Sequence, residues 1–439
     1  MIAVLVGILV AFSIIIIFIR RRIDLGLSLL LGAFILGVFS IGTIEPFDIP
    51  LVFIEGSIYS FKSNTIVTET IELGLLSTLI YILARCMKDT GGITKLIDTL
   101  RKLLTGGAIL SIIPAIYGLM PVPGGALLSA PMVDEEGDRY KLDKKQKNLL
   151  NIWFRHIWFP VYPVSAAIVL ICSSSFADIN ISNLILFNIP SLIAFIIIGF
   201  IMLRRFINPN NNKKKEKEDK EVEENKSYKD LIFFIPIITP VILYFMLNDT
   251  LKGIGLTQTS VFIIGVSLSI GILYFISHIK IKEYLEIIKK SLTIRLFSAI
   301  IGIMIFRRMF EAVNAHITIS NLIGTLMLPS LIMIIIIPLL FGFITGYNLS
   351  AIALSYFLVE PFMNTAGLSI LGFTSIVYIS SLIGYLISPI HLCNVLSSNY
   401  LHIDPTRIYK IFIPSALAVL AVQIIVVAFI DGLLTINFL

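Results

Sequence analysis

The sequence predicts an all-α polytopic membrane protein, and three observations carry that prediction. The 439 residues are 57% hydrophobic, with a mean hydropathy of +0.94. Charged residues make up 14%, against roughly 25% in soluble domains, which excludes a soluble globular protein. Apolar runs of about 18 or more residues recur from one end to the other, and at about 1.5 Å per residue each is long enough to cross about 30 Å of hydrocarbon. Unbroken runs such as IAVLVGILVAFSIIIIFI (2–19) contradict a membrane β-barrel, whose strands alternate weakly over about ten residues.

The first run is too long for a signal-peptide core, lacks an A-x-A site and is followed by Arg20, Arg21 and Arg22. It reads as a retained span with its amino terminus outside. Hydropathy places further spans near 25–43, 66–87, 149–176 and 183–203, then 231–247, 259–278, 292–312, 371–397 and 408–430. That makes ten transmembrane helices, five in each half. Between the halves, residues 204–230 hold nine basic and seven acidic side chains in 27 positions. Such a segment cannot bury a core and reads as a solvated linker.

Two apolar stretches do not fit as crossings. In 107–132, Pro121-Val122-Pro123-Gly124-Gly125 interrupts the helix near its middle, and basic segments flank both sides. It reads as a re-entrant hairpin entered from the cytoplasm. The stretch 322–357 breaks at Thr345-Gly346-Tyr347-Asn348 and has no lysine or arginine on either immediate flank. It reads as a hairpin entered from outside. With the linker cytoplasmic, 27 of the 34 basic residues fall inside, while Lys62 and Lys252 alone fall in outside loops. The positive-inside rule then places both termini outside. The net charge of +6 is accounted for by these loops, so it argues topology and no nucleic-acid partner.

The halves resemble one another. Setting IPAIYGLMPVPGGALLS (113–129) over IPLLFGFITGYNLSAIA (337–353) pairs Ile113 with Ile337, Pro114 with Pro338, Tyr117 with Phe341 and Gly118 with Gly342. Upstream, TKLIDTL (94–100) matches SNLIGTL (320–326) and LARCM (83–87) matches FRRMF (306–310), with offsets between 223 and 226. Five crossings is an odd number, so the second half must be inserted upside down, and inverted repeats meeting at the midplane are a transporter architecture. The division is 1–203 as first repeat, 204–230 as linker and 231–439 as second repeat. The spans 149–176 and 371–397 are over-long and carry interior prolines, Pro160 and Pro163 in the first and Pro389 in the second. Each reads as a broken helix.

The segments PVPGGALLSAP, RHIWFP and SPIHLC resemble those of an uncharacterised archaeal and bacterial integral-membrane family, a domain of unknown function. That family is placed in the ion transporter superfamily beside gluconate permeases and divalent-anion/sodium symporters. The resemblance covers essentially the whole chain. It implies a dimeric elevator, a scaffold plus a transport domain made from two re-entrant hairpins and two broken helices. The hairpin tips would be Pro121 to Gly125 and Thr345 to Asn348, and the helix breaks Phe159 to Pro163 and Ser388 to Asn394. The chain lacks the Ser-Asn-Thr tip signature that handles carboxylate and sodium in the symporters, which weakens the case for a dicarboxylate.

A helix broken inside the membrane leaves N–H groups at one new end and C=O groups at the other, useful where a solute binds. The N-terminal ends suit an anion and the carbonyl ends a small cation. Candidate solute contacts are therefore Pro121, Pro123, Gly124, Gly125 and Pro160 in the first half. In the second they are Thr345, Gly346, Asn348, Ser388, Pro389, His391 and Asn394. Na+ would sit at Gly124, Asn348 and Asn394. Arg155 and His156 are candidates to compensate an anion, and snorkelling to headgroups is the alternative for Arg155. His391 can hydrogen-bond substrate, carry a proton or simply cap a helix. No Asp or Glu lies within the breaks, so sodium or a histidine route is favoured over a carboxylate relay, the coupling ion staying open between Na+ and H+. Cys86, Cys172 and Cys393 are far apart in sequence with no disulfide or metal-ligand spacing, and read as small hydrophobes.

The sequence thus points to an ion-coupled secondary transporter, a homodimer in the plasma membrane, for a small anionic organic solute, with no cofactor. An intramembrane enzyme or lipid-handling protein is the alternative from another class, but HExxH, GxSxG and paired intramembrane aspartates are missing. An ion channel is a weaker reading still, without a repeated filter.

Overall fold

A computed structural model describes residues 2–55, 57–61, 63–104, 106–120, 125–207, 228–253, 255–326 and 329–436. The chain is an all-α membrane protein. Its first half carries α1 (Ile2–Arg20), α2 (Leu25–Phe39), α3 (Asp48–Ile54), α4 (Thr68–Asp89) and α5 (Gly92–Leu103). It continues with α6 (Ile109–Gly118), α7 (Ala126–Arg139), α8 (Lys144–Arg155), α9 (Ala166–Cys172) and α10 (Ile181–Phe206). The second half carries α11 (Ile235–Lys252), α12 (Gln258–Ser277), α13 (Ile281–Ser291), α14 (Ile294–Ala312) and α15 (Ala315–Leu326). Then come α16 (Ser330–Thr345), α17 (Asn348–Val359), α18 (Ile370–Ile387), α19 (Leu392–Tyr400) and α20 (Tyr409–Ile436). Among the described residues the one strand pair, Tyr59–Ser60 with Thr65–Ile66, lies in the loop before α4.

Local sequence sets several boundaries. Asp24 accepts from the Gly26 and Leu27 amides and starts α2. Asp143 and Gln146 form a capping box on α8, and Thr257 and Ser369 cap α12 and α18. Each of these side-chain oxygens satisfies amides that the first turn leaves without a helical partner.

Among the described residues, seven helical stretches are long and apolar enough to cross a bilayer: Ile2–Arg20, Thr68–Asp89, Ile181–Phe206, Lys229–Asn248, Gln258–Ser277, Ile370–Tyr400 and Pro405–Gly432. Hydropathy alone suggests ten, and the structure shows where the difference arises. The 25–43 segment is helical only over the 15 residues of α2. The 149–176 segment falls into α8 and α9, neither of which spans alone. The 292–312 segment forms α14, whose 19 residues include Arg295, Arg307, Arg308 and Glu311.

Packing is reciprocal between the halves. Helix α2 lies on α14 and α12 lies on α4, while α3 also touches α14 and α13 touches α4. Helix α6 packs on α7 and α8, as α16 packs on α17 and α18. Across the halves, α19 packs on α7 and α8, and α9 packs on α17 and α18. Helices α10 and α20 meet each other. Every residue of α17 is buried, and so is α18 from Gly372 onward. In contrast α1, α10 and α20 each show an apolar face outward, with Leu9, Ile197 and Ile425 exposed. Helices buried on all sides occupy a bundle interior, and those with an outward apolar face meet lipid.

Glycine allows the closest approaches. A Cβ at Gly342 would lie 2.3 Å from Ser381 O, and one at Gly118 would lie 2.0 Å from Arg155 O. No side chain fits in either contact, so α16 meets α18, and α6 meets α8, backbone to backbone.

Candidate functional site

Helix α8 stops at Arg155, and helical geometry resumes only at Ala166. Between them Pro160 and Pro163 lack the N–H a continuous helix would need. The exposed backbone is taken up by the neighbouring helices. Asn188 Nδ2 donates to Pro160 O (3.0 Å), and the Tyr378 hydroxyl donates to Phe159 O (2.7 Å). The second interruption runs from Ser388 to His391, between α18 and α19. Here Ser388 Oγ donates to Phe343 O (2.6 Å), and the Tyr409 hydroxyl donates to Ser388 O (3.1 Å). Pro389 follows directly on the residue that carries both anchors.

The turn between α16 and α17 is made by Gly346, whose φ of 61° is left-handed. Thr345 Oγ1 turns back to Phe341 O (2.7 Å). Asn348 opens α17. On the other pair, α6 ends at Gly118 and α7 begins at Ala126 after Gly125. Pro121, Pro123 and Gly124, expected at that tip, lie outside the described residues.

These four interruptions are joined to one another. At Gly125 an added Cβ would lie 2.1 Å from Arg155 Nη2, so the guanidinium rests on the start of α7. At Gly346 it would lie 2.7 Å from Ile390 Cγ1, so the α16–α17 turn rests on the second break. The two breaks meet through His156 and His391, whose rings are 4.8 Å apart at 66°. Tyr385 closes the group, 4.4 Å from the His391 ring, and Phe159 stacks on Tyr385 at 6.4 Å.

Within the group, polar atoms divide into those committed to the protein and those left open. Asn394 Oδ1 accepts from Asn148 Nδ2 (3.0 Å) and Ser398 Oγ (3.2 Å), and its Nδ2 donates to Pro405 O (3.2 Å). Asn151 donates to Ala126 O and Ser397 Oγ, both at 2.9 Å, and accepts from Ser129 Oγ (2.6 Å). Together Asn148 and Asn151 tie α8 to α19 and to α7. Asn394 and Ser388, candidate solute contacts from the sequence, make these internal bonds in the structure. Asn348 Oδ1 and His391 Nε2 are buried and make no hydrogen bond. Leaving such groups unsatisfied costs about 1–3 kcal/mol each.

Arg155 is 2% exposed. It therefore does not reach the lipid-facing surface, which disposes of snorkelling. Arg85 pairs with Asp89 (3.0 Å), and Arg308 pairs with Glu311 (3.1 Å), all four side chains partly exposed.

Three participants escape a reading of the sequence alone: Tyr385, the Asn148–Asn151 pair, and Cys393. Cys393 reads in the sequence as a small hydrophobe, yet its thiol and one nitrogen each of His156 and His391 lie within 4.8 Å of one another, all buried. The pair His391-x-Cys393 was the available signal.

Residues 4–430 match the model of a family described as protein of unknown function (DUF401). The chain belongs to that family. The DUF401 match runs through both halves and takes in every residue of the cluster just described. No curated protein matches the sequence.

Proposed function

We propose that this DUF401 protein is a secondary active transporter that moves a small, anionic organic solute across the plasma membrane by an elevator-type mechanism. The observation that carries the reading is the meeting of four backbone interruptions in one region, buried at Arg155, His156 and His391 and open at Ile390, through Gly125 on Arg155, His156 on His391, and Gly346 on Ile390. Helices α7, α17 and α19 all begin there, and none has a side-chain cap on its first amides. Uncapped helix starts offer N–H donors and partial positive charge to an anion. Arg155 adds a full charge, and Asn348 Oδ1 and His391 Nε2, buried acceptors without partners, would take a donor such as a hydroxyl carried by the solute.

The reading includes inverted repeats, ion transporter superfamily membership, a homodimer, and both termini outside with a cytoplasmic linker. Support for the repeats comes from the reciprocal packing of α2 on α14 and α12 on α4. It comes also from the two glycine contacts. Gly118 pairs with Gly342 in the sequence alignment, and their partners Arg155 and Ser381 fall at an offset within the same range. Na+ or H+ would couple the cycle. Within this reading Arg155, Asn348 and His391 take the solute, while Asn394 and Ser388 hold the helix ends that surround it.

Uptake into proteoliposomes tests the proposal, using a panel of small carboxylates with imposed Na+ or proton gradients. Gradient-driven accumulation of one class above its external concentration is expected. Asn348→Ala should weaken apparent affinity by roughly 5- to 150-fold, the equivalent of one buried hydrogen bond. Arg85→Lys, which keeps its pairing charge, should be mild. Chemical conversion of a panel member without accumulation, or uptake that is indifferent to both gradients, would replace the transporter reading with an enzyme or a channel.

A further inference from the structure

We propose that His156, His391 and Cys393 form a binding site for a thiophilic first-row divalent cation, with Zn2+ as the type, three protein ligands and an open fourth position. The three ligand atoms lie within 4.8 Å of one another, and all three residues are buried. In a tetrahedral Zn2+ site with bonds of about 2.0–2.3 Å, ligand atoms stand about 3.4–3.7 Å apart. Closing the cluster on a metal therefore takes a movement of about 1 Å at its widest pair, within the reach of small side-chain rotations at a helix break.

Tautomers favour the site. His156 Nδ1 is 2.7 Å from Ile152 O, and His391 Nδ1 is 3.3 Å from Leu386 O. A carbonyl oxygen only accepts, so each Nδ1 carries the hydrogen, and in a neutral ring each Nε2 then has a lone pair, that of His156 facing the Tyr385 hydroxyl at 3.4 Å, which a metal would displace. A backbone carbonyl on the remote nitrogen is the usual support for a metal-bound histidine. His391 Nε2 makes no hydrogen bond although the residue is fully buried. A metal would satisfy it, and the solute anion would then meet the metal and not this nitrogen.

The ligand set selects the class of ion. One thiolate and two imidazoles are borderline-soft donors suited to Zn2+ and its neighbours, whereas Na+, Mg2+ and Ca2+ take oxygen. On binding, the Cys393 thiol gives its proton to solvent and the thiolate sulfur bonds the metal, so one of the two cationic charges is neutralised on site. Arg155, adjacent in sequence to His156 and buried with it, makes an anion the favoured occupant of the fourth position. The ligands come from both halves of the chain, so the metal would pin the first break to the second.

The test is a Co2+ titration of the full chain, purified in detergent, reduced and freed of metal by a chelator. Saturable binding of a single Co2+ is expected, with the thiolate-to-cobalt charge-transfer band in the near ultraviolet and displacement by Zn2+. Cys393→Ala should abolish the band, and Cys86→Ser with Cys172→Ser should keep it. His391→Gln and His156→Gln should each weaken binding by at least about 100-fold, since even supporting residues around a metal are worth 10- to 100-fold. Cys393→Ser serves if the alanine variant does not elute as a folded species. No saturable binding by the folded chain, or a thiolate band that survives loss of Cys393, overturns the proposal. The readout is equilibrium binding and owes nothing to uptake, so it stands or falls separately from the transport reading.

Discussion

Gly346→Ala measures how firmly the α16–α17 turn is seated on the second helix break. The position has φ 61°, where an L residue costs about 1–2 kcal/mol. The new methyl would also stand 2.7 Å from Ile390 Cγ1 and 3.2 Å from the Ile390 carbonyl carbon and oxygen. The first overlap must be relieved by moving Ile390, and the second lies near the limit that packing accepts. Ile390 is 42% exposed, so Ile390→Ala alone should cost less than about 1 kcal/mol, well below the 2–5 of a buried isoleucine. Removing that side chain should recover the steric part of the Gly346→Ala loss and leave the backbone part. The cycle therefore predicts a single-variant loss of about 2–3 kcal/mol and a favourable coupling of about 0.5–1.5 kcal/mol. Unfolding free energies of the wild type and the three variants in mixed detergent micelles supply the numbers. Strict additivity would mean that turn and break do not touch, and the argument for one shared site would fail with it.

Asn151→Ala removes three buried hydrogen bonds that join α7, α8 and α19, and at about 0.6 kcal/mol for each interhelical bond in a membrane the loss should be about 2 kcal/mol. The same micelle unfolding measures it, with Ser397→Ala smaller and non-additive with it; an unchanged unfolding free energy would show that these bonds form only by geometry. Topology is checked with single cysteines at Lys217 and Thr365, read by a membrane-impermeant thiol reagent. Thr365 should label from outside and Lys217 from the cytoplasmic side, and labelling of both from one side would reverse the inverted-repeat proposal.

The sequence by itself determines the class of this protein, because transfer of long apolar runs into hydrocarbon is a local property that each segment carries alone. It also shows where helices can stop, although Pro114, Pro131, Pro190, Pro240, Pro338 and Pro414 stand inside helices that continue. Pro160, Pro163 and Pro389 remove backbone donors, and Gly346 permits the left-handed turn, whatever packs around them. Which side chains at those stops are free was decided only by tertiary structure. Asn348 and Asn394 are the same residue type beside similar breaks, yet Asn394 is consumed by Asn148, 246 positions away, and Asn348 keeps an open oxygen. Hydropathy likewise treats α18 and α20 alike, although one is enclosed by protein and the other faces lipid, since both surroundings are equally apolar. Arg155 could snorkel or be buried, and only its tertiary surroundings, which leave it 2% exposed with Gly125 against its guanidinium, decide between them. The meeting of His156, His391 and Cys393 has the same origin: a helix repeats its chemistry every few residues, but contacts between distant segments obey no period, and they form where close-packed backbones bring them.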